Sequence, residues 1–388
     1  MDKNNIIGFA LIALVLIGFT WYQQPSAEEQ RAAFVQDSIN NVAKKKAEAQ
    51  AAQAKVAKEA AEKLAIASDT TRLFYSALKG ESKTVTLKNQ KVELSFNTKG
   101  ATVEKAVIKG FEDYKGDKNV TLFDGKDQQL NYTFGAKETN ISTSELYFTP
   151  SNVTDSTVTF TAQAAEGKTI TISYKLGKDY MLHMQMTANG MSGMFAPGTQ
   201  SVDVNWKDKC RQQEKGFMFE NSHSSLTYHN VDGGTGNLSE TSAKTDEAVE
   251  DKIDWVAFKN QFFSAVMIAK NDFEANALMT SVPQEKGSGL KQYEAKMKAF
   301  FDPSGKKATE FDFYYGPNDF RLLQRMEKEC NFGKDLQMER LVFLGWPLFR
   351  IINRWFTLYV FDFLTGLNIN MGDLFFLVSL LLKYKSFP

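Results

Sequence analysis

The stretch Thr169-Ile170-Thr171-Ile172-Ser173-Tyr174-Lys175-Leu176, followed after Gly177-Lys178-Asp179 by Tyr180-Met181-Leu182-His183-Met184-Gln185-Met186-Thr187, decides the fold class. Apolar and polar side chains alternate through it, which sends them to opposite faces of a pleated strand, and the Gly/Asp break between the two halves is a turn. Upstream, Val92, Leu94 and Phe96 alternate with polar residues, and Thr157–Ala162 repeats the pattern. Downstream come Ser201–Trp206, Val256–Phe258, Phe262–Ala269, Glu274–Thr280, Leu290–Lys298 and Thr309–Tyr315. So many short strands separated by turn residues predict a mostly β protein whose body, from about Ser82 to Tyr315, is a large antiparallel sandwich. No Pro/Ser-rich linker divides it, so a single domain of about 240 residues is expected. Asp232-Gly233-Gly234-Thr235-Gly236 lacks the Lys-Ser/Thr of a phosphate loop and reads as a mobile surface loop. After Gly316-Pro317 the period changes. Asn318–Lys328 carries Phe320, Leu323 and Met326 on one side and charges on the other, which predicts a helix packed on the sandwich.

Outside this body the composition changes twice. Ile6–Tyr22 is a seventeen-residue run without charge, preceded by Lys3 and closed by Trp21 and Tyr22. It reads as a short uncleaved membrane anchor with its amino terminus inside; a signal peptide competes, but no small-x-small site follows directly. From Ala27 to Ala67 the chain is rich in Ala, Lys, Glu and Gln with almost no large apolar residue, a helical spacer rather than a coiled coil. The 46 basic and 46 acidic side chains of the 388 residues cancel. Nothing global therefore argues for nucleic acid, and any electrostatic function must be local. Cys210 and Cys330 have no metal-ligand spacing; one bridge or two separate buried thiols fit the sequence, and the second is favoured.

The carboxy-terminal fifty residues belong to a different solvent. Between Leu348 and Tyr359 the polar positions Arg350, Asn353, Arg354 and Thr357 share one helical face, while Phe349, Ile351, Ile352, Trp355, Phe356 and Tyr359 form the other. A basic stripe beside bulky aromatics is how a helix lies in the headgroup layer. After a bend near Gly366, Leu374–Leu382 is apolar apart from Ser379, and then comes Lys383. At ~1.5 Å per residue Lys383 lies roughly 16 Å beyond Gly372, about halfway through a ~30 Å hydrocarbon layer. Two readings stand side by side: a mid-membrane cation facing protein or water, or a lysine that snorkels with Lys385 to the headgroups.

Here the chain resembles a known family. Asn370-Met371-Gly372, the apolar run, Ser379, Lys383 and Phe387-Pro388 look like the first core transmembrane helix of the YidC membrane-protein insertases, in a Bacteroidetes-like form. Gly345-Trp346-Pro347-Leu348-Phe349 and the basic amphipathic helix resemble that family's interfacial helix. The likeness covers essentially the whole chain. It implies an anchor over 1–26, a spacer over 27–80, a periplasmic β-supersandwich with its closing helix over 81–338, an interfacial helix and bend over 339–370, and the start of the insertase core over 371–388. Many family members carry arginine at the position of Lys383. The family continues with a cytoplasmic hairpin and four more membrane helices, so a truncated product or an early-ending reading frame is expected. The resemblance further implies a multi-pass protein of the bacterial inner membrane. In it, Lys383 and Ser379 line a hydrophilic substrate groove, and Arg350, Arg354, Trp355 and Phe356 lie along the interface. The implied partners are nascent membrane proteins, the lipid bilayer and Sec translocon components, with no cofactor and no metal.

An active site in the β body is not expected. His183, His223 and His229 form no metal or catalytic motif, and Ser222-His223-Ser224-Ser225 has no acid beside it in sequence. Sandwiches of this type nonetheless resemble carbohydrate-active mutarotase folds. A membrane-anchored sugar enzyme is thus the second reading, with Asp203, Asp254 and Glu274 as carboxylates that could meet in a cleft. It requires a deep pocket with converging carboxylates or a histidine; a shallow cleft lined by Lys and Asn counts against it. A non-catalytic interaction module is the third.

Overall fold

The computed structural model describes residues 73–137, 139–241, 243–330, 332–342 and Tyr359. The expected anchor, all but the end of the spacer, the interfacial residues Arg350, Arg354, Trp355 and Phe356, and the groove residues Ser379 and Lys383 lie outside them. Among the described residues no helix is long and apolar enough to cross a membrane.

The alternation in the deciding stretch is realised residue by residue. Along the strand Lys168–Leu176, Ile170, Ile172, Tyr174 and Leu176 are buried and the residues between them are not. This strand pairs antiparallel with Thr157–Ala165 on one side and Met181–Asn189 on the other, with Phe160 and Met184 opposite Ile172 and Tyr174. Every pairing in the described residues is antiparallel. A four-stranded sheet runs Thr84–Lys88, Val92–Asn97, Thr102–Lys109, Asn119–Asp124 in chain order. In the larger, fifteen-stranded sheet ten strands follow the spatial order Ile141–Ser142, Gln128–Phe134, Ser201–Lys209, Lys291–Phe300, Phe263–Phe273, Thr309–Pro317, Met181–Asn189, Lys168–Leu176, Thr157–Ala165, Thr149–Ser151, and the other five, Ser225–Asn230, Thr235–Asn237, Thr245–Val249, Ile253–Lys259 and Ala277–Pro283, branch from this path. Lys291–Phe300 meets Phe263–Phe273 through the single pair Phe273 and Ala299, so the sheet parts into two halves there. Aromatic contacts hold the sheets together. Phe96 lies 4.7 Å from Tyr174 and Phe123 lies 5.6 Å from Tyr315, tying the small sheet to the large one, while Tyr174 donates to the Ala101 carbonyl at 2.8 Å.

Four features depart from the sequence reading. The supposed mobile glycine loop is a hydrogen-bonded hairpin: Asn230 N–H donates to Gly234 at 3.0 Å, and Thr235–Asn237 pairs with Ser225–Asn230. Strands at Thr102–Lys109, Asn119–Asp124, Gln128–Phe134 and Thr245–Val249 had no expectation attached. At the end of the stretch read as spacer, Phe74 is buried and its N–H bonds to Ala164 at 2.9 Å, so this part packs on the sandwich. Both cysteines are free, and Cys330 is only half-buried rather than buried.

Gly305 shows how tightly turns abut strands. Its φ of +72° is left-handed, and a Cβ there would stand 2.1 Å from the Ala188 carbonyl oxygen. Gly305→Ala is therefore expected to cost about 1–3 kcal/mol, read as a lower urea midpoint with an unchanged slope.

Candidate functional site: the carboxy-terminal joint

The most densely bonded part of the described body is where the chain leaves it, between Asn318 and Val342. The predicted helix forms over Phe320–Cys330, with Phe320, Leu323 and Met326 buried as their spacing requires. Asp319 starts it, its carboxylate accepting the Leu322 N–H at 2.7 Å in the manner of an N-cap. Asn318 fixes the entry: its N–H donates to Phe262 at 2.6 Å, its amide donates to Asn260 at 3.1 Å, and it accepts from the Ser264 hydroxyl at 2.6 Å.

From the other end of the helix, Glu327 clasps the chain as it leaves. Its carboxylate accepts the backbone N–H groups of Leu336, Gln337 and Met338, the last two at 3.1 Å. Burial raises the Glu327 pKa, and the three N–H donors oppose that shift by stabilising the anion. Two more side chains reach the same segment from the interior strand Ile253–Lys259. Trp255 Nε1 donates to the Leu336 carbonyl at 2.8 Å, and Lys259 Nζ to that of Leu341 at 3.3 Å. Lys259 is buried, which lowers its pKa. Lys334 pairs with Asp272, and Lys270 spans the Asp312 carboxylate at 3.1 Å and the Phe332 ring at 4.9 Å. His183 Nδ1 meets the other oxygen of Asp312 at 2.5 Å. Finally the Arg321 guanidinium stands 5.0 Å from the ring centre of Tyr359, bringing that residue onto the helix. None of these bonds is visible as a motif, because Glu327, Trp255, Lys259 and Lys334 are far from their partners along the chain.

The residues considered for chemistry are dispersed. Asp203 and Glu274 do share an open cleft of about 590 Å³, together with Asn131, Asn205, Lys296 and Lys298. Asp254 does not join them; it is buried elsewhere against His229, whose Nδ1 lies 3.0 and 3.2 Å from its two oxygens. His183 and His229 are strand residues, and His223 sits in the turn after the short helix Phe217–Asn221. Among the described residues no group of His, Cys, Asp and Glu is placed to hold a metal.

A buried polar knot lies at the end of the strands nearest the joint. Lys291 donates to the carbonyls of Ser224 at 2.6 Å and Glu240 at 2.7 Å, and burial lowers its pKa. Burial, then Asp208 and Glu220, push the Cys210 thiol well up, so it is inert rather than nucleophilic. Glu220 accepts the N–H groups of Gln213 at 3.0 Å and Glu214 at 3.0 Å, yet burial raises its pKa from 4.5 to about 7. A carboxyl raised on folding binds its proton more tightly in the native state, so its contribution to stability is full below pH 4.5 and lost as pH rises through about 7. Glu220→Gln is expected to flatten the stability profile over that window, measured by urea unfolding at a series of pH values.

The sequence profile of the YidC periplasmic domain matches residues 84–359. The chain belongs to the YidC family. The YidC match includes the whole joint and reaches Tyr359. Among curated relatives, the membrane protein insertase YidC of Phocaeicola vulgatus is 45% identical over all of this chain and 62% of its own length. That of Bacteroides fragilis is 39% identical over the same shares. The chain thus spans about 62% of the YidC relatives it matches. A galactose mutarotase-like protein from Lactobacillus casei is similar over 61% of this chain and 100% of its own, at 12% identity and a TM-score of 0.38.

Proposed function

We propose that the chain serves the insertion and folding of membrane proteins at the bacterial inner membrane, with its β domain in the periplasm, working alone or beside the Sec translocon. The observation that carries this reading is the YidC match over 84–359 together with 45% identity to an insertase along the entire chain. On this reading Lys383 stands in a hydrophilic groove within the bilayer. Its charge lowers the cost of drawing an incoming chain's acidic tail partway into a low-dielectric layer, and Ser379 helps hydrate the path. The apolar segment then leaves sideways into lipid, driven by transfer out of water. The helix bearing Arg350, Arg354, Trp355 and Phe356 lies along the outer interface, and the joint fixes where the β domain stands above it.

The test is Lys383→Ala in the full-length counterpart. Insertion of acidic-tailed substrates into inverted vesicles should fall by about tenfold or more, as loss of ~1.4 kcal/mol or more of electrostatic stabilisation requires, and Lys383→Arg should retain it. Unchanged insertion with alanine refutes the groove role. The sugar-enzyme reading draws no support from the cleft, where lysine and asparagine surround Asp203 and Glu274 and no histidine is present.

A further inference from the structure

At the end of the sandwich where the joint begins, four large apolar side chains face outward. Met218 is 75% exposed, Phe219 60%, Phe262 46% and Phe111 37%. They come from three separate loops held together by specific bonds. Phe111 carries its ring against Phe263, with centroids 5.4 Å apart, next to Phe262. Tyr114 N–H in the Phe111 loop donates to Gln213 at 2.9 Å, and Gln213 N–H is bound by Glu220 in the helix that bears Met218 and Phe219. Ser225, just after that helix, pairs with Lys259.

The same end releases the chain. Lys259 holds the Leu341 carbonyl, Asn318 holds Phe262, and Arg321 meets Tyr359, the last residue of the stretch that reads as an interfacial helix. The exposed residues therefore surround the exit. Lys115 and Lys118 in the Phe111 loop and Lys215 beside the Met218 helix are exposed, as are Glu112 and Asp117 in the same loop and Asp319 next to Asn318. The near balance of charge leaves the apolar side chains as the attractive element, and an apolar patch beside a membrane-bound segment sits at the one depth where both are satisfied.

We infer that the end of the β domain carrying Phe111, Met218, Phe219 and Phe262 rests in the headgroup layer of the bilayer, as a second foothold beside the interfacial helix. This rests on the membrane reading above. The domain is then held at two places and cannot swing freely about residue 342.

Nitroxide labels at Phe219→Cys and at Phe262→Cys, in a Cys330→Ala background of the whole chain in phosphatidylethanolamine–phosphatidylglycerol vesicles, test it. Leu278→Cys is the reference, being 51% exposed and close to the far end of the strand Phe263–Phe273. At 219 and 262, collision with a water-soluble nickel chelate should be about threefold lower than at 278, while collision with dioxygen is equal or higher, as at an interfacial depth. Equal chelate access at all three positions overturns the proposal. So does a joint fall in both probes, which marks cover by protein, whether a partner or a second copy. A label at Trp355→Cys separates the failures: protected there but not at the loops sinks the second foothold alone, and exposed there sinks the membrane reading with it.

Discussion

Replacing His229 with alanine is expected to lower the stability of the β domain by about 3–5 kcal/mol, the cost of breaking a buried ion-type pair from one side. His229 is 1% exposed and Asp254 2%, and the ring lies parallel to Trp255 at 5.7 Å, so the substitution leaves the Asp254 carboxyl buried without its ring partner. Nδ1 faces both oxygens of Asp254, and Nε2 has no partner among the described residues. Removing both members should hurt much less than the sum. His229→Phe with Asp254→Leu fills similar volume and removes both unmet polar demands, so a coupling of several kcal/mol is expected. Urea unfolding followed by tryptophan fluorescence measures each corner of this cycle. A loss under about 1 kcal/mol for His229→Ala would mean that the dyad is not the buried pair described.

Glu327→Ala should act locally and on a different observable. Three backbone donors lose their acceptor at once, each worth about 1 kcal/mol or more when left unmet. Amide exchange at Leu336, Gln337 and Met338 is expected to accelerate by about 10–100-fold, while the strand Phe263–Phe273 keeps its protection. Trp255→Phe, which removes only the bond to the Leu336 carbonyl, should give a smaller acceleration over the same residues. If exchange there is unchanged in Glu327→Ala, the carboxylate does not govern how the chain leaves the domain.

Several strands with one wet face were legible because their buried positions fall on alternate residues, although Gln128–Phe134, which alternates in the same way, was not read. Val92, Leu94 and Phe96 are all fully buried, as are Ile170 and Ile172. Strands covered on both faces were read where their enclosed positions are apolar, as in Phe263–Ala269, and were missed where those positions are polar. Ser225–Asn230 is buried nearly throughout, yet its sequence reads as Ser, Leu, Thr, Tyr, His and Asn because the hydroxyls and the Nδ1 edge of the imidazole find partners inside. For the same reason only Val256–Phe258 of Ile253–Lys259 was visible, since Asp254 and Lys259 are polar residues in fully enclosed places. The helix over Phe320–Cys330 was readable from Phe320, Leu323 and Met326. The clasp it supports was not. Glu327 resembles any other charge on a solvated helix face until the chain returns to it nine to eleven residues later. The family resemblance was read from short stretches in 345–388, whereas the match of the body over 84–359 is spread along the sequence and offers no short motif.

Trp255 and Lys259, which grip the departing chain, belong to a strand flanked on both sides, by Ser225–Asn230 and Phe263–Phe273. A strand paired on both edges gives up its place only when two ladders break, whereas a border strand is held by one. Load applied at Leu336 and Leu341 would therefore enter the sheet through a strand bonded along both edges.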